Sequence, residues 1–346
     1  MARKRIIKYL LNEEHLQAYL SLIGSQYAEH SHVHSFVQSK ARNKNIANPF
    51  FQNGVITNFI AYENSRAVGH ISAIIDPRLT DSDGTQVGAI GFYECNGDSQ
   101  LSRRLIKKAL QSLRKHSCTT VRAPIDLTTW HYYRFALNQN PKAVFPSEPI
   151  NSPLYPMQFQ QAGFTEASKY ASLRRSDLST MLSYSSRISE QLLSLGYSLR
   201  RVVPDNFSQA MSSIHSLSNI IFSSNWSFVN LSLPEFQYLY RAEQRIKDEA
   251  VIEILSNPEG KDIGFAFGFP NTANNEYIIK SIGILPEFRH TWGGIWLGGS
   301  QVSMAKNFGL NSVIFALRKR EKITKNPIYE GSSVREYSAF ERRLDS

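Results

Sequence analysis

The sequence predicts an α+β chain of two tandem domains, each a mixed, mostly antiparallel sheet flanked by helices. Three observations carry this. The chain has 346 residues, the length of about two ordinary domains. Strand-like and helix-like segments alternate along it, and adjacent strand segments are joined by short hairpin turns, which mark antiparallel pairing. The order strand, helix, hairpin, strand, helix, strand runs once through each half, a repeat of architecture with little residue identity between the copies.

In the first half, residues 3–8 read as a strand and 12–28 as a helix, because Leu16, Tyr19, Leu20 and Ile23 recur at helical spacing. A polar stretch then runs to Asn53. Segments 56–62 and 67–75 form a hairpin around Glu63-Asn64-Ser65-Arg66, and 87–93 is a third strand. Segment 101–115 is the clearest helix, with Leu101, Leu105, Ile106, Ala109, Leu110 and Leu113 on one stripe. Arg103, Arg104, Lys107, Lys108, Arg114 and Lys115 lie largely off it. They form either a phosphate-binding face or, in the more ordinary reading, a solvated one. Segment 119–123 is a strand, and 138–156, rich in Pro, Asn and Ser, reads as loop.

A helix over 180–195 leads out of the first half. The expected domains are residues 1–175 and 197–346, with 176–196 as a linker helix. The order then restarts: a strand at 197–203, a helix at 207–222, and a hairpin of 251–255 with 263–269. Strand 277–285, helix 295–307 and strands 312–317 and 337–342 complete it.

Hydrophobic residues make up 42% of the chain and charged ones 20%, enough apolar mass for packed cores and too little charge for a disordered chain. No apolar run approaches the ~18 residues of a membrane span, and Met1-Ala2-Arg3-Lys4-Arg5 precedes a stretch too short and polar for a signal peptide. Cys95 and Cys118 are the only cysteines. That excludes a disulfide scaffold or structural zinc module and leads us to expect a cytoplasmic protein. The net charge of +10 favours polyanions such as nucleic acid, anionic lipid or a phosphorylated cofactor without choosing among them. His30, His32 and His34 form H-x-H-x-H, but no carboxylate or cysteine follows at ligand spacing. A solvated loop is expected there, and no metal.

The most informative segment runs from Ser281 to Leu297. A hydrophobic strand ends at Pro286, a short turn holds Arg289, Gly293 and Gly294, and a helix begins. The free N–H groups of such a turn and of the first helical turn, with the positive end of the helix dipole, suit a phosphate or pyrophosphate. Glycine lets an anion approach the backbone closely. A tight turn packing a helix on a sheet accounts for the same residues. No P-loop and no GxGxxG fingerprint is present.

At these residues the sequence resembles the GNAT superfamily of acyl-CoA-dependent N-acetyltransferases, whose signature is a strand followed by R-x-x-G-x-G/A at a helix start. Arg289 and Gly294 fill the outer positions, and Trp292 stands at the first glycine. Either Gly293 serves instead in a longer turn and Trp292 is buried in an interdomain contact, or the indole blocks the site. The resemblance spans most of the chain and is nearest to bacterial proteins with two fused GNAT-like domains. It rests on Asn48-Pro49-Phe50-Phe51, Val68 to Asp76, Ile90 to Cys95, Val121 to Ile125, Asn151 to Tyr155, Asn225 to Phe228, Ile263 to Ala266 and Arg335 to Arg342. The first half lacks the arginine–glycine turn, and Glu94 and Asp98 would repel a pyrophosphate, so a donor site is expected in the second half alone.

The resemblance implies an N-acyltransferase that moves an acetyl or other acyl group from acyl-CoA, or from an acyl carrier protein presenting the same arm, to an amine on a small molecule or peptide. It implies cofactor contacts from Ile282, Gly283, Ile284, Arg289, His290, Thr291, Trp292, Gly293, Gly294 and Ile295. It also implies that the backbone N–H of Ile284 polarises the thioester carbonyl, and that a tyrosine, Tyr329 or Tyr337, reprotonates the leaving thiolate. Glu276 is the candidate general base. Membrane and nucleic-acid partners are not expected. The alternative is a non-catalytic tandem scaffold that binds CoA or a polyanionic partner.

Overall fold

The computed structural model describes residues 4–10, 12–30, 32–138, 140, 144–203, 207–241, 250–323 and 333–344. The chain divides into two compact units: residues 1–169, 226–229 and 336–346, and residues 170–225 with 230–335.

In the first unit β1 (Arg5–Tyr9) leads into α1 (Glu13–Gln26) and α2 (Val33–Asn43). Asn12 caps α1 by accepting the His15 N–H. The hairpin β2 (Val55–Glu63) and β3 (Arg66–Thr80) turns through Asn64 and Ser65, both at positive φ, as a two-residue hairpin turn requires. β4 (Gln86–Cys95), α3 (Ser99–Arg114), β5 (Thr120–Ala123), β6 (Phe135–Ala136) and α4 (Tyr155–Gln161) follow. The chain then runs through β7 (Thr165–Arg175), α5 (Leu178–Ser194), β8 (Ser198–Arg201), α6 (Phe207–Ile221) and α7 (Leu233–Arg241). β9 (Val251–Ser256), β10 (Asp262–Asn271), β11 (Glu276–Ile284), α8 (Gly293–Asn307), β12 (Ser312–Lys319) and β13 (Ser333–Arg343) complete it.

The first unit's sheet runs β1-β2-β3-β4-β5-β13, antiparallel except for the parallel β4–β5 pair. The apolar stripe of α3 packs on it, with Leu105, Ile106, Ala109 and Leu113 all buried against Ile71, Ile90 and Val121. The second unit's sheet runs β7-β12-β11-β10-β9-β8, again with one parallel pair, β11–β12. Its core joins Tyr277, Ile279, Val302, Ala305, Val313 and Phe315. The predicted α+β class and the mostly antiparallel sheets are thus observed.

The unit limits differ from the expected ones in two places. Segment 178–194, expected as a linker, is part of the second unit. A Cβ on Gly299 of α8 would lie 2.0 Å from Ser185 Oγ of α5, so the glycine lets these two helices touch. The end of β13 belongs to the first unit, because residues 337–343 pair with β5 and β6. The polar stretch before Asn53 contains α2, and 165–175 is a strand that the sequence patterning did not reveal.

Candidate functional site

β11 and β12 pair in parallel only from Glu276↔Ser312 to Ile279↔Phe315. Beyond Ile279, β11 keeps β10 as its neighbour as far as Gly264↔Ile284, while β12 follows β7 to Lys319↔Tyr170. The two strands therefore part, and residues 280–284 of β11 have an edge with no paired β12 residue. The Leu285 N–H donates to Ile263 O at 2.8 Å, on the β10 side. Backbone groups alternate sides along a strand, so the N–H of Ile284 faces the open edge. Ile282, two residues back, shares that side.

The turn that follows is a 3-10 segment, Pro286–Thr291, with Arg289 and His290 exposed. Arg289 Nε lies 3.4 Å from Ile284 O. Thr291 Oγ1 donates to Phe288 O at 2.7 Å and accepts the Gly293 N–H at 3.4 Å. Trp292 has φ of 63° and is 60% exposed. It takes the left-handed conformation that favours glycine, at the position where the resemblance expects the first glycine. The expectation of a buried interdomain contact is not met, because the indole lies at the surface.

α8 starts at Gly293 with no side-chain cap from Trp292, and among the described residues no carboxylate accepts from the donors of its first turn, where the helix dipole is positive. Gly293 is buried, and a Cβ there would lie 2.5 Å from Leu255 Cδ2. At Gly294 a Cβ would meet only Ile284 Cγ1, at 3.7 Å. Gly293 is thus needed for packing, and Gly294 leaves space open at the helix start. Ile295 donates to Trp292 O at 2.8 Å and closes the first turn. Gly283 packs under α6, where a Cβ would lie 2.5 Å from Ile221 Cγ2. Beside this turn opens a cleft of about 710 Å³, lined among others by Ser213, Leu217 and Ile220 of α6, Asp262 of β10, and Leu285 and Glu287.

The first unit closes the corresponding places with its own groups. The edge of β4 that faces β5 accepts the Ile125 N–H at Ile90 O. The Phe92 N–H, on the same side, donates to Asp126 Oδ1 at 2.6 Å, and the Cys95 N–H donates to Tyr155 Oη at 2.8 Å. A Cβ on Gly91 would lie 2.1 Å from Ile125 O. At the start of α3, Asp98 accepts the N–H groups of Gln100 and Leu101 at 2.8 and 3.0 Å and pairs with Lys4. A carboxylate already fills the place an anion would take.

Behind that closed edge lies a buried polar network that the sequence did not disclose. Lys40 Nζ, from α2, pairs with Asp126. Lys44 donates to Asn58 and, at 3.1 Å, to Ser72 Oγ. Burial holds the Lys44 amine well below its usual range; Asp126 opposes this and Lys40 adds to it. Glu94 accepts from Tyr27 Oη at 2.7 Å and Tyr155 Oη at 2.9 Å. Burial pushes its carboxyl up to about 7, against the pull of Lys40 and the two hydroxyls. His70 joins its ring nitrogens to Phe92 O and Tyr9 Oη.

Other predicted residues lie elsewhere. Tyr329 falls outside the described residues. Tyr337 is buried in β13 and donates to Glu148. Glu276 sits at the paired end of β11, bound to Arg174 Nε at 2.9 Å. That is eight residues, or roughly 26 Å of extended strand, from Ile284, so it is no base for that edge. Among the described residues no cluster of metal-ligating groups occurs, and no helix is long and apolar enough to cross a membrane.

Known structures share this architecture. A tandem GNAT protein from the clavulanic acid biosynthesis pathway superposes with a TM-score of 0.62 at 13% identity, over 99% of both chains. A GCN5-related N-acetyltransferase from Sphaerobacter thermophilus gives 0.55 at 12%, over 100% of this chain and 98% of the other. A probable N-acyltransferase from Enterococcus faecalis gives 0.58 at 13%, over 99% and 73%. The chain has the tandem GNAT fold. In sequence, a bacterial ceramide synthase from Caulobacter vibrioides is 23% identical over 251 residues, 70% of this chain. The match spans 62% of that relative, less than two thirds of its length. No family model matches the sequence.

Proposed function

We propose that the protein is an acyltransferase that carries an acyl group from acyl-CoA, bound at the β11–α8 turn, to an amine. The observation that supports this most is the pairing of an open β11 edge at Ile284 with an uncapped helix start at Gly293-Gly294. Residues Arg289 to Ile295 would hold the pyrophosphate, and Ile282 and Gly283 would line the pantetheine arm. The N–H of Ile284 would donate to the thioester oxygen and strengthen that bond as negative charge develops on it. The neutral amine attacks the thioester carbon, the C–S bond breaks, and the amine proton balances the departing thiolate.

The Caulobacter relative carries the name ceramide synthase. A ceramide is the N-acyl derivative of a long-chain amino alcohol, so we take that class as the acceptor. The cleft beside Leu285 offers its chain an apolar wall in Leu217 and Ile220, while the carboxylates there, Asp262 and Glu287, are paired with Arg200 and Lys261. Trp292 at the first glycine position favours a second reading, a binding protein whose donor site is closed.

Calorimetry with CoA and acyl-CoA separates the two readings. Micromolar binding, with amide formation from a long-chain amino alcohol seen by mass spectrometry, is expected of the enzyme. Silence in both assays would favour the scaffold.

A further inference from the structure

The outer face of α3 is unusual in its charge. Arg103, Arg104, Lys107, Lys108, Arg114 and Lys115 are all exposed, and the helix itself contains no acidic residue. At 100° per residue the six fall within an arc of about 140°, along about 18 Å of axis. None of them is in an ion pair among the described residues. The one acid near the helix start, Asp98, is taken up by Lys4 and by capping.

Like charges at helical neighbour spacing, such as Arg103 with Lys107 and Arg104 with Lys108, oppose one another and weaken the helix. The helix is held instead by its opposite, buried face. A solvated face normally mixes both signs; this one does not, and it offers a polyanion six cations on one side of a helix.

We infer that this face docks the protein on an anionic membrane surface. Clusters of four to eight Lys and Arg on one face of an amphipathic helix suit anionic lipid headgroups, which gather laterally beneath fixed cations. No aromatic side chain stands among the six to stack on bases, as a nucleic-acid surface would use. The choice of lipid over nucleic acid also rests on the long-chain amine reading above, since such an acceptor resides in a bilayer.

The test is co-sedimentation of the full chain with phosphatidylcholine vesicles, with and without phosphatidylglycerol. Binding that needs phosphatidylglycerol and weakens with salt is expected. In the variant R103Q/K107Q/K108Q/R114Q the partition coefficient should fall by about fivefold per cation removed, two to three orders of magnitude in all. These side chains are exposed and repel one another, so the thermal midpoint should hold or rise slightly. Equal binding to neutral vesicles, or no loss in the variant, would overturn the inference. So would retention on RNA through the same residues without vesicle binding. Transfer to a water-soluble short-chain amine is read separately: activity there without vesicle binding sinks the docking and leaves the reaction standing.

Discussion

Phe92 and Asp126 are joined by a backbone-to-carboxylate hydrogen bond of 2.6 Å on the edge of β4 that faces β5. The second unit leaves the corresponding edge of β11 open at Ile284. Two units of one topology thus differ at the groups on which acyl transfer would depend. Asp126 also holds the buried Lys40 ammonium. Asp126→Ala should therefore cost about 3–5 kcal/mol, because it strands a buried charge. Urea denaturation measures this. Adding Lys40→Met to the same chain should restore a substantial part, and a loss below about 1 kcal/mol would mean that water already reaches Lys40.

The Glu94 carboxyl, raised to about 7 by burial, gives the fold a defined pH dependence. Its ordinary value is near 4.5, so the folded state holds the proton more tightly than the unfolded one. Its stabilisation is therefore full below about 4.5 and is lost as pH rises through about 7, up to roughly 3 kcal/mol in all. Glu94→Gln should flatten the difference between urea midpoints taken at about pH 5 and about pH 8. An unchanged slope in that variant would assign the dependence to another group.

Gly294 is the place to interrupt donor binding without disturbing the core, since a Cβ there meets only Ile284 Cγ1 at 3.7 Å. Gly294→Glu should keep its thermal midpoint within a few degrees and lose CoA binding in calorimetry, as a carboxylate at an uncapped helix start opposes a pyrophosphate. A photoreactive CoA analogue on wild-type protein should label residues 282–295. Labelling confined to residues 90–105 would move the donor site to the first unit.

Most strands, the hairpins and helices α1, α3, α5, α6 and α8 were legible because apolar spacing and turn residues coincide in them; β6 and β7 were not. α2 was not, because Lys40 and Lys44 are buried in its last turn and just beyond it. Lysines read as solvent-facing unless their partners, here Asp126, Asn58 and Ser72, are known, and those lie far along the chain. For the candidate site, the glycine turn and the helix start were legible as a local motif. The splay of β11 from β12 was not, since register is a property of two strands. Glu94 and Asp98 were legible as acids after the third strand, but the burial of Glu94, the capping by Asp98 and the closure by Asp126 and Tyr155 needed the fold.

Trp292 offers the last test. Burial of the indole would make Trp292→Gly cost about 3–5 kcal/mol through the cavity it leaves. The indole is instead 60% exposed, and its backbone has φ of 63°. A non-glycine residue in that conformation carries about 1–2 kcal/mol of strain, which glycine relieves. Against this stands the extra chain entropy of glycine in the unfolded state, about 0.5–1 kcal/mol. The difference is small, so Trp292→Gly should change stability by no more than about 1.5 kcal/mol, in the stabilising direction. The same substitution bares the backbone at the start of α8 to an approaching pyrophosphate, so CoA should bind more tightly. Thermal denaturation and one CoA titration check both halves. A loss of about 3 kcal/mol would show that the indole is packed after all. Weaker CoA binding at unchanged stability would show that Trp292 touches the cofactor, and that its place at the first glycine position serves binding rather than hinders it.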